Sequence, residues 1–186
     1  MQMDATYGRR TLSVLVDNEA GVLSQVSRMF SRKGYNIESL AVGTTDDPAV
    51  SRITIEVMAD DDQINLLGNQ LRKLLAVHSV KLLDPDHSIR RELVLIKVKT
   101  ETSEICNRVI QIANIFRASV IDVSSTTITL TLIGEESKTD AIVDLVSEFG
   151  ILELVRTGMV AIERGTRTIY EQTKERGEFD YGKNVL

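Results

Sequence analysis

The chain has 186 residues, of which 42% are hydrophobic and 26% charged, which is ordinary for a folded globular protein and excludes extensive disorder. With 22 basic residues against 27 acidic ones, a net charge of −5 and no tryptophan, the composition argues against a general nucleic-acid binder. No apolar run approaches the roughly 18 residues of a membrane-spanning helix, so no membrane partner is expected.

The first half of the chain predicts the order strand, helix, strand, strand, helix, strand. The signals are alternating β-formers, apolar residues at helical spacing, and glycine or aspartate at the helix ends. The predicted elements are a strand at 11–16, a helix that follows the turn at 17–21 and stops at Gly34, strands at 36–44 and 50–58, a helix after the aspartates at 60–62, and a strand at 77–83.

The second half of the chain repeats this order. A linker is favoured by LDPDHS, at residues 83–88, which carries a proline and two aspartates. Beyond it we predict strands at 92–99, 119–123, 127–133 and 151–155, one helix with Ile105, Val109 and Ile112, and another with Ile142, Leu145 and Val146. The predicted organisation is a domain at 10–84, a linker at 85–88, a domain at 89–165, and a charged tail at 166–186 that forms a surface helix fragment and a loose end.

Two such units predict an α+β fold with two tandem ferredoxin-like domains. Each domain would be an antiparallel four-stranded sheet with two helices on one face. The other face then lacks a helical cover. In the first strand Leu12, Val14 and Val16 share one face, yet Leu15 on the opposite face is also apolar. Leu15 therefore indicates either a partner surface or a partly exposed residue that needs no explanation.

Residues that commonly perform catalysis or bind metals are few and scattered. His78, His87 and Cys106 are separated in sequence and by predicted element, and a single cysteine leaves no disulfide or metal-binding pair. No GxGxxG, phosphate loop, GxSxG or HExxH pattern occurs. We expect no catalytic site and no metal site in this chain. Without a secretory signal, the chain is expected in a reducing compartment, the cytoplasm or a plastid stroma.

One stretch, the turn DNEAG at residues 17–21, points to a binding site. The second unit makes the same strand-to-helix step through KTETSE, at residues 99–104, with a threonine or serine cap and no glycine. The turn itself is therefore not expected to need glycine. Instead, Gly21 would leave backbone amides at the start of the helix open to a small anion.

Side chains near this turn suit the charged end of an amino acid. Asn18 and Asn36 offer donors for a carboxylate and acceptors for an ammonium group, and we expect Asn36 at the same end of the sheet as the turn. Val22, Leu23 and Ile37 are suited to receive an apolar side chain. The residues alone leave two interpretations, a small-molecule site and a plain helix-capping turn.

Several ordered motifs resemble one known family. The chain opens with TLSVLVDNEAGVLSQVSRMFSRKGYNIESLAVGTTDDPAVSRITIEV, which is similar to the start of the regulatory, or small, subunit of acetohydroxyacid synthase (acetolactate synthase). That family begins with an ACT domain, a βαββαβ module that senses amino acids. Further matches are RRELVLIKV, IFRASVIDV and LVRTGMVAIERG, so the resemblance covers about residues 10–165.

The resemblance implies a non-catalytic subunit that activates the catalytic subunit in branched-chain amino-acid biosynthesis and makes it inhibitable by valine, or by leucine or isoleucine. Thiamine diphosphate, Mg and FAD would belong to the catalytic partner, with no cofactor in this chain. In the family the effector lies at an ACT homodimer interface, between the turn after the first strand of one chain and the start of the second strand of its neighbour. Carried over, the site residues are Asn18, Ala20, Gly21, Val22 and Leu23 on one side, and Asn36 and Ile37 on the other.

Two other classes share the predicted fold. An RNA-recognition module needs aromatic residues on its central strands, where this chain has Leu12, Val14, Ile53 and Ile55. A small stand-alone enzyme needs a nucleophile or an acid-base pair, and none converges with the turn. Both classes are therefore less well supported than an amino-acid-sensing regulatory subunit that binds no nucleic acid.

Overall fold

A computed structural model describes residues 7–172 of the chain. These residues form two compact units, the first made of residues 7–88 with 162–172 and the second of residues 89–161. Of the predicted charged tail, residues 173–186 lie outside the described residues.

The first unit has the predicted βαββαβ order. Its elements are β1 (Gly8–Asp17), α1 (Val22–Lys33), β2 (Ser39–Thr44), β3 (Val50–Ala59), α2 (Asp61–Leu71) and β4 (Val77–Leu83). The strands form one antiparallel sheet in the order β2-β3-β1-β4, so β1 and β3 are central and β2 is an edge strand.

A single apolar core joins this sheet to its two helices. Leu12, Val14 and Val16 alternate along β1 and belong to the same buried cluster as Val26 and Phe30 of α1. The remaining buried members, which come from α1, β3, α2 and β4, are Val22, Ile53, Ile55, Val57, Ala59, Ile64, Leu67, Leu71, Val77 and Val80. Period-two alternation in the strands and a 3.6-residue stripe in the helices explain this arrangement.

The second unit repeats the architecture. Its elements are β5 (Ser88–Lys99), α3 (Ser103–Phe116), β6 (Ser119–Val123), β7 (Thr127–Gly134), α4 (Glu136–Ser147), β8 (Ile151–Arg156) and β9 (Val160–Glu163). The first residue of β5 and the last two of β9 fall in the first unit. The sheet order is β6-β7-β5-β8, and β9, which we did not predict, also pairs with β5. The α+β class with two ferredoxin-like sheets is confirmed. Leu145 is an exception to the predicted helix face, because its side chain is exposed.

The face of the first sheet that the helices leave open is covered by the chain itself. Leu15 is only 1% exposed, so neither interpretation of this residue, an exposed partner surface or a partly exposed side chain, is correct. In the register Leu15 lies opposite Ser79 of β4, and the Ser79 hydroxyl donates to the backbone carbonyl of Ile169 at 3.0 Å. The Lys81 ammonium similarly donates to the carbonyl of Thr168 at 3.1 Å.

The covering segment ends in a short 3-10 helix, Ile169–Gln172. We predicted a surface helix fragment in this region, but the Ile169 side chain is 4% exposed and therefore buried. The Lys81 ammonium also pairs with the carboxylate of Glu163, and the hydroxyl of Tyr170 donates to Asp46 at 3.1 Å. Residues 162–172 are thus a structural part of the first unit, although the second unit precedes them in sequence.

Ile169→Ala should lower the free energy of unfolding by about 2–5 kcal/mol, because a buried branched side chain is removed from the surface of the sheet. Urea denaturation of the full chain measures this loss. Tyr170→Phe is the matched control, since it removes only one exposed hydroxyl, and it should cost about 1 kcal/mol or less. Equal losses in the two variants would contradict the buried role of Ile169.

Candidate functional site

The turn at residues 17–21 is held by backbone hydrogen bonds at one end of the first sheet. The Asp17 amide donates to the carbonyl of Ala76, and the Asn18 amide donates to the carbonyl of Ala49, both at 2.8 Å. The carboxylate of Asp17 also contacts His78 Nε2 at 2.8 Å. These bonds tie the end of β1 to the segments that precede β3 and β4, so the turn has a defined position.

Gly21 adopts a backbone conformation that favours glycine. Its φ of 90° and ψ of −14° lie in the left-handed region, whereas the helix-capping residue of the second unit, Thr102, has a φ of −129°. Our expectation that this turn does not need glycine is therefore wrong, because the two turns are built differently. A Cβ placed on Gly21 would meet nothing within 4 Å, so the space in front of the turn is open.

Helix α1 begins without a side-chain cap. Asp60 and Gln63 form a capping box at the start of α2, and Thr102 caps α3 by accepting from the amide of Ile105 at 3.2 Å. At α1 the capping position is Gly21, which has no side chain to accept a hydrogen bond, and the first turn carries no acidic residue. The partial positive charge of this helix end therefore has neither a side-chain cap nor an acidic residue of the first turn to compensate it.

Three residues around Gly21 differ in what they can offer a ligand. The Val22 side chain is buried in the core, so only its backbone can face the open side of the turn. Ala20 and Leu23 are exposed. Ala20 and Leu23 are thus the two apolar side chains at this turn that a ligand can reach, and Leu23 is the larger of the two.

Asn18 is already engaged within the chain. Its Nδ2 donates to the carbonyl of Pro48 at 2.9 Å, and its Oδ1 accepts from the hydroxyl of Ser51 at 3.0 Å. An asparagine amide has two hydrogens and two oxygen lone pairs, so one donor and one acceptor remain. Neither Pro48 nor Ser51 was predicted as a support of the turn, because nothing in their local sequence marks this contact.

Asn36 and Ile37 lie at the opposite end of the sheet. β2 starts where Ser39 pairs with Glu56, which in turn pairs with Thr11, whereas the turn lies beyond the Asp17–Val50 pair. Thr11 and Asp17 are six residue steps apart along β1, which corresponds to roughly 20 Å. The expectation that Asn36 lies at the same end as the turn is therefore wrong, because α1 carries the chain back along the sheet before β2 begins.

The start of β2 has its own local contacts. Asn36 Nδ2 donates to Glu38 Oε1 at 2.8 Å, and Asn36 is exposed. Ile37 is half-buried and packs against the core. The predicted site residues thus form two groups within one chain, one at each end of the sheet.

Metal-ligand clusters and long apolar helices are both absent from the described residues. Within residues 7–172 no group of three or more His, Cys, Asp and Glu side chains is arranged to hold a metal ion. Among the described helices none is both long and apolar enough to cross a bilayer.

Comparison with known proteins places both halves of the chain in one family. Residues 12–79 match the family model for the AHAS small subunit-like ACT domain, and residues 91–165 match the model for the small subunit of acetolactate synthase. An acetolactate synthase small subunit of Mycobacterium bovis is 45% identical over 159 residues, which cover 86% of this chain and 94% of that protein. The chain belongs to the acetolactate synthase small-subunit family.

A second curated relative and a solved structure agree with this assignment. The acetolactate synthase small subunit of Aquifex aeolicus is 43% identical over 156 residues, covering 84% of this chain and 81% of the relative. The crystal structure of the acetolactate synthase small subunit from Thermotoga maritima is 35% identical, with a TM-score of 0.80, and the match covers 86% of this chain and 99% of that one. The turn and the start of β2 both lie inside the segment of this chain that matches the ACT-domain model.

Gly21→Ala should destabilise the chain by about 1–2 kcal/mol, because a residue with a Cβ is strained at positive φ. Gly43→Ala is the matched control, since Gly43 also has open space around it but no positive φ. It should change stability by less than about 1 kcal/mol. Urea denaturation of both variants measures the difference, and equal stability would contradict the strained turn.

Proposed function

We propose that this chain is the non-catalytic regulatory subunit of acetolactate synthase, that it activates the catalytic subunit, and that it confers feedback inhibition by valine. Leucine and isoleucine are the alternative effectors, because the three side chains differ only in apolar shape. The effector site lies at the interface of an ACT homodimer. One observation carries this proposal, namely that the two groups of site residues lie at opposite ends of the same sheet.

This separation is what a two-fold dimer needs. β2 has only β3 as a neighbour among the described strands, so its outer edge is available for pairing. If two copies of β2 pair antiparallel across a two-fold axis, the start of one strand lies beside the end of the other. Asn36 of one chain then approaches the turn at Gly21 of its neighbour. Val42 on this edge is 49% exposed in the single chain. Pairing of the two β2 strands would cover this apolar side chain, which supports the proposed dimer.

The residues at the turn of one chain and those before β2 of the other offer partners for the different parts of an amino acid. The uncapped start of α1 and its backbone amides suit the carboxylate. The remaining polar capacity of Asn18, together with the exposed amide of Asn36 from the other chain, suits the ammonium group. Leu23 and Ile37 are the apolar residues on the two sides of such an interface, and they suit a branched aliphatic side chain.

Regulation follows from linkage between effector binding and activation. If valine binds one arrangement of the dimer more tightly than the activating arrangement, it shifts the population away from activation by its differential affinity. A coupling free energy of about 1–3 kcal/mol corresponds to a change of about 5-fold to 150-fold. No group of this chain then has to take part in the chemistry of the catalytic subunit. Named relatives from bacteria and archaea support a cytoplasmic location.

Gly21→Asp should abolish valine inhibition and retain activation, because a carboxylate then occupies the place of the effector's own carboxylate. The readout is acetolactate formation by the catalytic subunit reconstituted with each small-subunit variant, with and without valine. Gly21→Ala is the control, since it shares the backbone strain without the charge and should remain inhibitable. Loss of activation by Gly21→Asp would indicate a folding defect and would not support the proposal.

Mixing two defective variants tests whether the site is shared between chains. Gly21→Asp and Asn36→Ala should each abolish the heat of valine binding in isothermal titration. In an equal mixture that exchanges chains freely, a mixed dimer has one intact site, so about a quarter of the sites should recover. A site built within one chain would give no recovery, and that outcome would contradict the interfacial arrangement.

A further inference from the structure

A groove of about 520 Å³ lies on the helical side of the first unit, between α1 and α2. Its rim carries four cationic side chains, those of Arg28, Arg32, Lys33 and Lys73. Its floor contains Met29 and Leu74, which are half-buried and pack against the core. We call this surface the basic groove. It lies along the helices, whereas the candidate effector site uses the start of α1 and the segment that leads into the edge strand β2.

The charges of the basic groove are not neutralised within the described chain. Among residues 7–172, no carboxylate forms a salt bridge with any of the four cations, and all four side chains are exposed. The Arg28 guanidinium donates only to the backbone carbonyl of Ser24, at 3.3 Å. Because the whole chain has a net charge of −5, composition alone does not explain a local excess of positive charge.

The two helices of the second unit carry a different set of charges. There the guanidinium of Arg108, on α3, donates to the carboxylate of Glu148 at the end of α4 at 2.9 Å. The same guanidinium lies 4.8 Å from the centre of the Phe149 ring. The helices of the second unit are thus bridged by an exposed ion pair, whereas the four cations on the helices of the first unit have no such carboxylate partner among the described residues.

The favourable interaction of cations with the C-terminal end of a helix explains only part of the positive charge of the basic groove. Arg32 and Lys33 lie in the last turn of α1, where cations are favourable, but Arg28 lies in the middle of the helix. Leu75 follows the floor residue Leu74 and is 92% exposed, which adds an apolar side chain beside the charged rim. An apolar floor between charged walls suits an amphipathic helix that lies along the groove. Guanidinium groups favour carboxylates as partners.

We infer that the basic groove docks an acidic amphipathic segment of the catalytic subunit. This inference rests on the proposed function, which requires a catalytic partner. Apolar side chains of the segment contact Met29, Leu74 and Leu75, while its carboxylates pair with the four cations. Such rim charges accelerate and orient association, and the affinity they provide falls as salt screens them.

The test reverses three cations in the full chain with the variant Arg28→Glu/Arg32→Glu/Lys73→Glu. Acetolactate formation by the catalytic subunit is measured while the small subunit is titrated, at low and high salt. The concentration for half-maximal activation should rise at least about tenfold at low salt, because carboxylates then face carboxylates. Activation at saturation should persist, and valine binding to the isolated variant should be unchanged.

A matched control separates the groove from net charge. Lys99→Glu/Arg117→Glu/Lys138→Glu changes the total charge equally but lies in the second unit, and it should leave the half-activating concentration within about twofold. Equal shifts in the two triple variants would overturn the inference. So would saturable binding of inorganic pyrophosphate that is lost in the groove variant, since the groove would then be a small-anion site. If the unaltered chain fails to activate the catalytic subunit, the proposed function fails, and this inference fails with it.

Discussion

The antiparallel ladder between β1 and β3 is the constraint on which the first unit depends. It runs without interruption from the Gly8–Ala59 pair to the Asp17–Val50 pair. Because the ladder is continuous, the turn after β1 and the start of β2 are held at opposite ends of a rigid sheet. An effector that uses both groups must therefore bridge two chains, so the proposed sensor depends on a free strand edge and not on a closed pocket within one chain.

The sheet of the first unit also depends on a distant part of the sequence, residues 162–172, which lies against its open face. A ferredoxin-like sheet with helices on one side leaves its other face to be buried by something else. Here residues 162–172 lie over β4, with Ile169 buried and the polar groups of Ser79 and Lys81 bonded to backbone carbonyls. Leu15, the apolar residue that suggested a partner surface on this face, is thus buried within the chain. Partner contacts of the first unit remain available at the β2 edge and on the helices.

The two units share one fold but differ in how the first helix is capped and in which charges lie between the two helices. In the second unit a threonine caps the first helix and an ion pair bridges the two helices. In the first unit the corresponding helix starts at a glycine with positive φ, and the corresponding groove is lined by cations without carboxylate partners among the described residues. Both departures leave electrostatic potential uncompensated, and uncompensated potential is what binds charged ligands and charged partners. The features that suit binding are therefore concentrated in the first unit.

Local pattern determined most of the fold and the identity of the turn. Alternation and helical spacing depend only on neighbouring residues, so the order of elements in both units, from β1 to β8, was predictable from the sequence. The position of Gly21 at the start of a helix was predictable for the same reason. Its positive φ was not, because a comparison with the other unit assumed that both turns have one geometry.

Tertiary structure alone decided which residues meet. Asn36 belongs to the opposite end of the sheet because β1 and β2 both pair antiparallel with β3 and therefore run parallel, with α1 carrying the chain back between them. Ser79, which lies opposite the buried Leu15, bonds to Ile169 because residues more than 140 positions beyond Leu15 return to the same sheet. Such contacts depend on strand order and chain return, which no short window of sequence records. The sequence by itself thus determined the elements, the duplication and the family resemblance, while the ends, faces and edges at which binding residues stand were decided by long-range pairing.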